Sequence, residues 1–157
     1  FACTSAGALR GNAYETELVE RLSTSMDAET ISVAAAVRRA LAARGARRVG
    51  VVTPYVESLN VPIAASLDTG GFEVTAIHGL GITENFAIAA VEPEQIGSFA
   101  VEKLAGQELD VVFISCTNFR ALDAREQVER ALGVPVVTSN SAALEAVLDR
   151  VRATVSA

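Results

Sequence analysis

Val111-Val112-Phe113-Ile114-Ser115-Cys116-Thr117-Asn118 is the stretch on which the fold turns. An apolar run of strand length, rich in β-branched residues, is bounded by Asp110 before it and by Thr117-Asn118 after it, which predicts a buried strand. Cys116 then stands at the carboxyl end of that strand. In open α/β sheets this edge, just ahead of the following helix, is where ligands bind.

The same phrase occurs at the start of the chain, as Ala2-Cys3-Thr4-Ser5. The sequence holds only two cysteines, and each is followed by a hydroxyl residue where an apolar run gives way to small polar ones. Outward from Cys116, Leu122–Leu132 reads as a helix ended by Gly133, and Val134–Thr138 as a short strand whose Pro135 suits an edge or a strand start. Ser139 or Asn140 then caps a last helix to about Thr154. Toward the amino terminus, Pro93–Leu104 and Val56–Thr69 read as helices, with a shorter one at Phe86–Ala90. Val49–Thr53 and Phe72–Ile77 read as strands. Further back, a short helix is expected over Tyr14–Leu22, and a longer one over Ala28–Arg44 capped from Thr24-Ser25-Met26-Asp27. Ala6–Gly11 is expected to be a glycine-punctuated loop. Strand alternating with helix in this way predicts a mostly parallel α/β sheet covered by helices on both faces.

Composition narrows the function classes. The 157 residues are half hydrophobic and carry a formal charge of −6 without a basic cluster, which argues against a nucleic-acid or anionic-membrane surface. No run approaches the length of a membrane span and no signal segment is present, so a cytoplasmic protein is expected. G-x-G-x-x-G and P-loop signatures are absent. His78 is the sole histidine and no cysteine or acidic cluster has metal spacing, so neither a metal nor a cofactor is expected. The single lysine, Lys103, reads as a surface charge on an amphipathic helix, and so do Arg38, Arg39 and Arg44 on theirs.

Two strand-end thiols suggest a chemistry. A helix amino terminus presents unpaired N–H groups that favour an anion, whether a thiolate or a substrate carboxylate. If the two strand ends share a cleft, a small carboxylate would have one thiol on each side of its reactive carbon. Opposed thiols suit proton removal and return on opposite faces, or attack by one while the other manages a proton. The bland alternative is that each cysteine is a small buried hydrophobe.

Ala2-Cys3-Thr4-Ser5, the run from Arg48 through Thr53-Pro54-Tyr55 to Asn60, and Val112-Phe113-Ile114-Ser115-Cys116-Thr117-Asn118 followed by Pro135-Val136-Val137-Thr138-Ser139-Asn140 occur in order. Together they resemble the maleate cis-trans isomerase and arylmalonate decarboxylase branch of the aspartate/glutamate racemase superfamily. The resemblance implies flavodoxin-like parallel sheets in two pseudo-symmetric lobes with a cofactor-free site between them. Residues 46–133 would form the second lobe, and residues 1–45 and 134–157 would belong to a first lobe whose opening segment has no counterpart in this sequence. By the same resemblance Cys3 would add to the double bond of a cis-dicarboxylate and Cys116 would move the proton. Tyr55 and Asn85 would hold the substrate carboxylates, and Thr4, Ser5, Thr117 and Asn118 would contribute hydroxyl, amide and backbone contacts. For Tyr55 the structural alternative is an interface aromatic; for Asn85 it is a helix cap.

The expected function is therefore a cofactor-independent isomerase of a small dicarboxylate, with self-association into a homo-oligomer compatible with it. Two-cysteine amino-acid or hydantoin racemases and arylmalonate decarboxylase-like enzymes are the competitors. A non-enzymatic carboxylate-binding sensory module and a Cys3–Cys116 redox pair are the readings from other classes.

Overall fold

The computed structural model describes residues 1–155, with the side chains of Ser5 and Ala6 outside that description. Four parallel strands, β1 (Arg48–Thr53), β2 (Glu73–Gly79), β3 (Val111–Ile114) and β4 (Val136–Thr138), lie in the order β2-β1-β3-β4. This is the flavodoxin-like order, and its direction reverses between β1 and β3. The register is fixed by Val51 opposite Phe113 and by Phe113 opposite Val137. The alternate positions Gly50 and Val112 also pair.

Both faces of the centre are covered, which is why β1 and β3 read as continuous apolar runs. Val49, Val51, Val52, Val111, Val112 and Ile114 are fully buried. On one face Phe113 meets Thr4 and Ala8 of α1 (Thr4–Arg10), Val37 of α3 (Val33–Ala43), and Ile63 and Leu67 of α4 (Glu57–Thr69) around a small void. On the other, a Cβ at Gly50 would lie within 3.1 Å of both terminal methyls of Leu104, on α6 (Pro93–Leu104). α6 packs in turn on α7 (Ala121–Leu132). Glycine at position 50 lets that helix approach the sheet.

The amino-terminal third departs from the sequence expectation in two places. Ala6–Gly11 is not a loop: α1 occupies Thr4–Arg10, and the break comes only at Gly11, with φ 85°. Gly7 serves close helix contact, because a Cβ there would sit 3.3 Å from the Glu15 carboxyl carbon. Nor does a helix start at Ala28. α2 runs Asn12–Met26, and Thr24 and Ser25 lie inside it, bonding back to the carbonyls of Glu20 and Arg21. Asp27, left-handed at φ 46°, ends α2, and Ser32 caps α3 by accepting from the Ala35 N–H.

α2 and α3 are fastened by Glu15, which is 2% exposed. Its carboxylate accepts from Arg38 Nη2 at 2.9 Å, from the Ala35 N–H at 3.1 Å and from the Ser32 hydroxyl. Arg38 is thus an internal ion-pair partner and not a solvated surface charge. Arg44 likewise holds Glu145 at 2.8 Å on the last helix, α8 (Ser139–Val155). Lys103 behaves as expected, pairing at the surface with Glu102.

At the far edge of the sheet β4 hydrogen-bonds to β3, and α8 then packs on α3. A separate extended pairing exists at the chain start. Phe1 donates its amino group to the Ile31 carbonyl at 2.7 Å and accepts from the Val33 N–H at 3.1 Å. No helix among the described residues is long and apolar enough to cross a membrane.

Candidate active site

The carboxyl edge of the sheet collects most of the residues singled out in the sequence, and it does so at the β1/β3 reversal, the usual ligand crevice of this topology. After β1, Thr53 turns inward and its hydroxyl donates to Asn60 Oδ1 at 2.6 Å while accepting from the Tyr55 N–H at 3.0 Å. The segment after β2 is zipped to this turn. Leu80, Gly81 and Ile82 donate to the carbonyls of Thr53, Tyr55 and Pro54 at 2.9–3.1 Å. Tyr55 and Asn85 thereby line one cavity of about 390 Å³ with Val56, Leu59, Ile82 and Ile88. A second cavity, of about 270 Å³, between Glu15, Arg38 and Arg150 holds none of the residues expected at the site.

After β3, the chain does not enter a helix at once. Cys116 takes a φ of 100°, and α7 begins only at Ala121. A residue with a side chain held there stores roughly 1–3 kcal/mol of backbone strain, and such strain gathers at functional turns. Residues 117–120 therefore separate Cys116 from the start of α7. The Cys116 peptide N–H donates to Ser139 Oγ, at the first residue of α8, at 3.0 Å. Cys3 does occupy the position before a helix, as the N-cap of α1, and is half-buried. Neither cysteine is in a disulfide.

The two cysteine segments meet. Thr117 Oγ1 donates to the Ala2 carbonyl at 3.2 Å, one residue before Cys3. Thr4 Oγ1 donates to the same Ser139 Oγ that holds Cys116, also at 3.2 Å. Asn118 Nδ2 reaches the start of α5 (Asn85–Ala89), donating to the Asn85 carbonyl at 2.8 Å and to its Oδ1 at 3.1 Å. Asn140 Nδ2 closes the ring by donating to the Thr117 carbonyl at 3.2 Å. Thr4, Asn85, Cys116, Thr117 and Asn118 are thus joined through hydrogen bonds, and Cys3 lies in the chain between Ala2 and Thr4, both of which are bonded to this group. Tyr55 enters through the cavity it shares with Asn85, and the Ser5 side chain lies outside the described residues.

Donors remain for a ligand. Among the described residues the peptide N–H groups of Thr117 and Asn118 make no hydrogen bond. Two consecutive N–H groups after a positive-φ residue form a concavity suited to an anion. Ser139 and Asn140 are the residues whose part in this arrangement the sequence did not disclose, since each reads there as a helix cap. The signal was present only as the phrase Thr138-Ser139-Asn140 after a strand.

Known proteins resemble this chain along its whole length. The arylmalonate decarboxylase family model matches residues 1–157. The arylmalonate decarboxylase of Bordetella bronchiseptica is 34% identical over 140 residues, 88% of this chain and 58% of that protein. The maleate isomerase of Pseudomonas putida is 31% identical over 94% of this chain and 61% of its own length. A Nocardia farcinica maleate cis-trans isomerase mutant, solved with a covalently bound succinylcysteine intermediate, superposes with a TM-score of 0.87. The two are 27% identical, over 97% of this chain and 64% of that one. The chain therefore spans about three fifths of the length of these relatives. On this match the chain belongs to the arylmalonate decarboxylase family, in the branch of the aspartate/glutamate racemase superfamily that also holds the maleate isomerases.

Proposed function

We propose that the protein is a cofactor-independent cis-trans isomerase of a small dicarboxylate, of the maleate-to-fumarate type, working through Cys3 and Cys116. The observation that carries this reading is the joining of the two cysteine loops through Ser139 and Thr117 beside the open N–H groups of Thr117 and Asn118. In this scheme the Cys3 thiolate adds to one carbon of the double bond, and the π pair moves to the other carbon, which takes a proton from Cys116. The central bond is then single and rotates. Cys116 recovers the proton, the C–S bond breaks, and the trans product leaves with no net redox change.

The carboxylates would be held by Thr4, Ser5, Tyr55, Asn85, Thr117 and Asn118, acting as donors that need no arginine. The reading includes two pseudo-symmetric lobes facing each other across the site.

The test is proton NMR of maleate incubated with the full chain. Fumarate should accumulate, and Cys3→Ala and Cys116→Ser should each lower turnover by at least about a thousandfold. Full activity in either variant would refute a two-thiol mechanism. Arylmalonate decarboxylation is the second reading, favoured by the 34% identity to the Bordetella enzyme. It predicts release of carbon dioxide from phenylmalonate by the Cys3→Ala variant, with loss only in Cys116→Ser.

A further inference from the structure

Ser139 is fully buried at the first residue of α8, and its hydroxyl oxygen accepts two hydrogen bonds from elements remote in sequence. One comes from the Cys116 N–H at 3.0 Å, the other from Thr4 Oγ1 at 3.2 Å. A hydroxyl oxygen has two acceptor sites, so both are committed. The first bond bears directly on the Cys116 peptide, whose φ of 100° is a conformation that a residue with a side chain keeps only when its surroundings impose it. The second bears on the residue following Cys3. Ser139 thus lies outside both cysteine segments and bonds to each of them.

We propose that Ser139 is a positioning residue for both thiols: one buried oxygen holds the Cys116 turn in its strained form and ties that turn to the Cys3–Thr4 step. The consequence for chemistry is that one shared atom, beside the Thr117–Ala2 bond, ties the two cysteine segments to each other. Without that oxygen the Cys116 peptide can relax out of positive φ, while Thr4 is released at the other end. The activity arm of the test rests on the isomerase reading; the thiol arm does not.

Ser141, two residues on, supplies the control. It exchanges hydrogen bonds with Thr138 at 2.9–3.1 Å in capping the same helix and touches neither cysteine segment. Ser139→Ala and Ser141→Ala in the full chain should therefore both lower the melting temperature. Only Ser139→Ala should alter the thiols, raising the iodoacetamide rate of the 6%-exposed Cys116 severalfold, as read by mass spectrometry of the labelled peptide. Ser139→Thr, which retains the oxygen, should return that rate toward wild type.

With maleate as substrate, Ser139→Ala should lower kcat about 10- to 100-fold at little change in KM, as expected when reacting groups are misplaced by about an ångström. Wild-type alkylation rates in Ser139→Ala, or equal changes in Ser139→Ala and Ser141→Ala, would overturn the assignment. If the wild-type protein leaves maleate and fumarate unconverted, the isomerase reading fails, and the alkylation comparison alone decides the role of Ser139.

Discussion

Thr117 Oγ1 donates to the carbonyl oxygen of Ala2 at 3.2 Å, so the turn that carries Cys116 is bonded to the residue before Cys3 across 115 positions of sequence. The bond is local support for a long-range arrangement: it fixes the peptide that leads into α1 from the turn that leaves β3. Thr117→Val preserves shape and removes the donor. A side-chain hydrogen bond of this kind contributes about 1 kcal/mol, so opening of the Ala2–Cys3 segment should become about fivefold more frequent. Alkylation of Cys3 should rise by that factor while the melting temperature moves little. An unchanged Cys3 rate would mean that the segment is held without this bond, by contacts such as those of Phe1 with Ile31 and Val33 and of Thr4 with Ser139.

Gly79 ends β2 where the backbone passes closest to the Tyr55 turn. A Cβ there would meet the Tyr55 carbonyl oxygen at 2.1 Å and Asn60 Nδ2 at 2.6 Å. The clash is with backbone, so Gly79→Ala must push the Tyr55 turn away from β2. The expected cost is about 1–3 kcal/mol of stability, together with weaker dicarboxylate binding measured by calorimetry. Gly97→Ala is the informative contrast. Its Cβ would meet the end of the Gln127 side chain, which can swing aside, and it would remove a glycine from the interior of α6. It should be neutral or slightly stabilising. Equal melting temperatures for the two variants would show that the Tyr55 turn is not braced by β2.

The strands and the later helices were legible because their signals are local. Val111–Ile114 is apolar on both faces as a central parallel strand must be, and Pro93 and Gly133 mark helix ends by their own backbone preferences. The errors fall where a tertiary contact decides. Gly7 reads as a loop residue and instead lies inside α1, where Glu15 packs against it. Thr24 and Ser25 read as caps and instead spend their hydroxyls on carbonyls four residues back, inside α2. At the site, the cysteine phrases could be found because each cysteine is followed by small polar residues, and Cys116 also follows a strand. Ser139 could not, because its two partners lie 23 and 135 positions away and its own neighbourhood shows only a helix start.

Ser115, next to Cys116, is fully buried, and its hydroxyl has no hydrogen-bond partner among the described residues. Its peptide N–H is satisfied by the Val52 carbonyl at 2.8 Å, so only the side chain is at issue. A buried hydroxyl left without a partner costs about 1–3 kcal/mol. Ser115→Ala should therefore raise the melting temperature, in opposition to Ser139→Ala one turn of the site away. A fall in melting temperature for Ser115→Ala would show that its hydroxyl is satisfied in solution, by an ordered water or by a neighbouring group.

Asp110 anchors the starts of β1 and β3 to each other. Its carboxylate accepts from the Arg48 N–H at 2.8 Å and the Arg47 N–H at 3.0 Å, and it pairs with the Arg48 guanidinium at 3.2 Å. The Arg48 N–H first, the Arg47 N–H next and then the Arg48 side chain hold the Asp110 carboxyl below the ordinary aspartate range. The depressed value means that the folded state favours the ionised form more than the unfolded chain does. The resulting stability is present in full above the unfolded pKa and is lost as pH falls through the folded one. Glu129 acts in the same sense: burial pushes its carboxyl up, but the Val136 N–H, the Arg125 guanidinium and the charge of Arg44 outweigh burial and hold it down. Denaturation midpoints should therefore fall as the pH is taken from about 5 toward 2, the window in which such carboxylates protonate. Asp110→Asn should be less stable than wild type at neutral pH and should show a shallower decline in acid, because one of the protonating groups is gone. Parallel acid profiles for the two proteins would mean that the anchor between β1 and β3 contributes nothing to the pH dependence, and that the decline belongs to Glu129 and the remaining carboxylates.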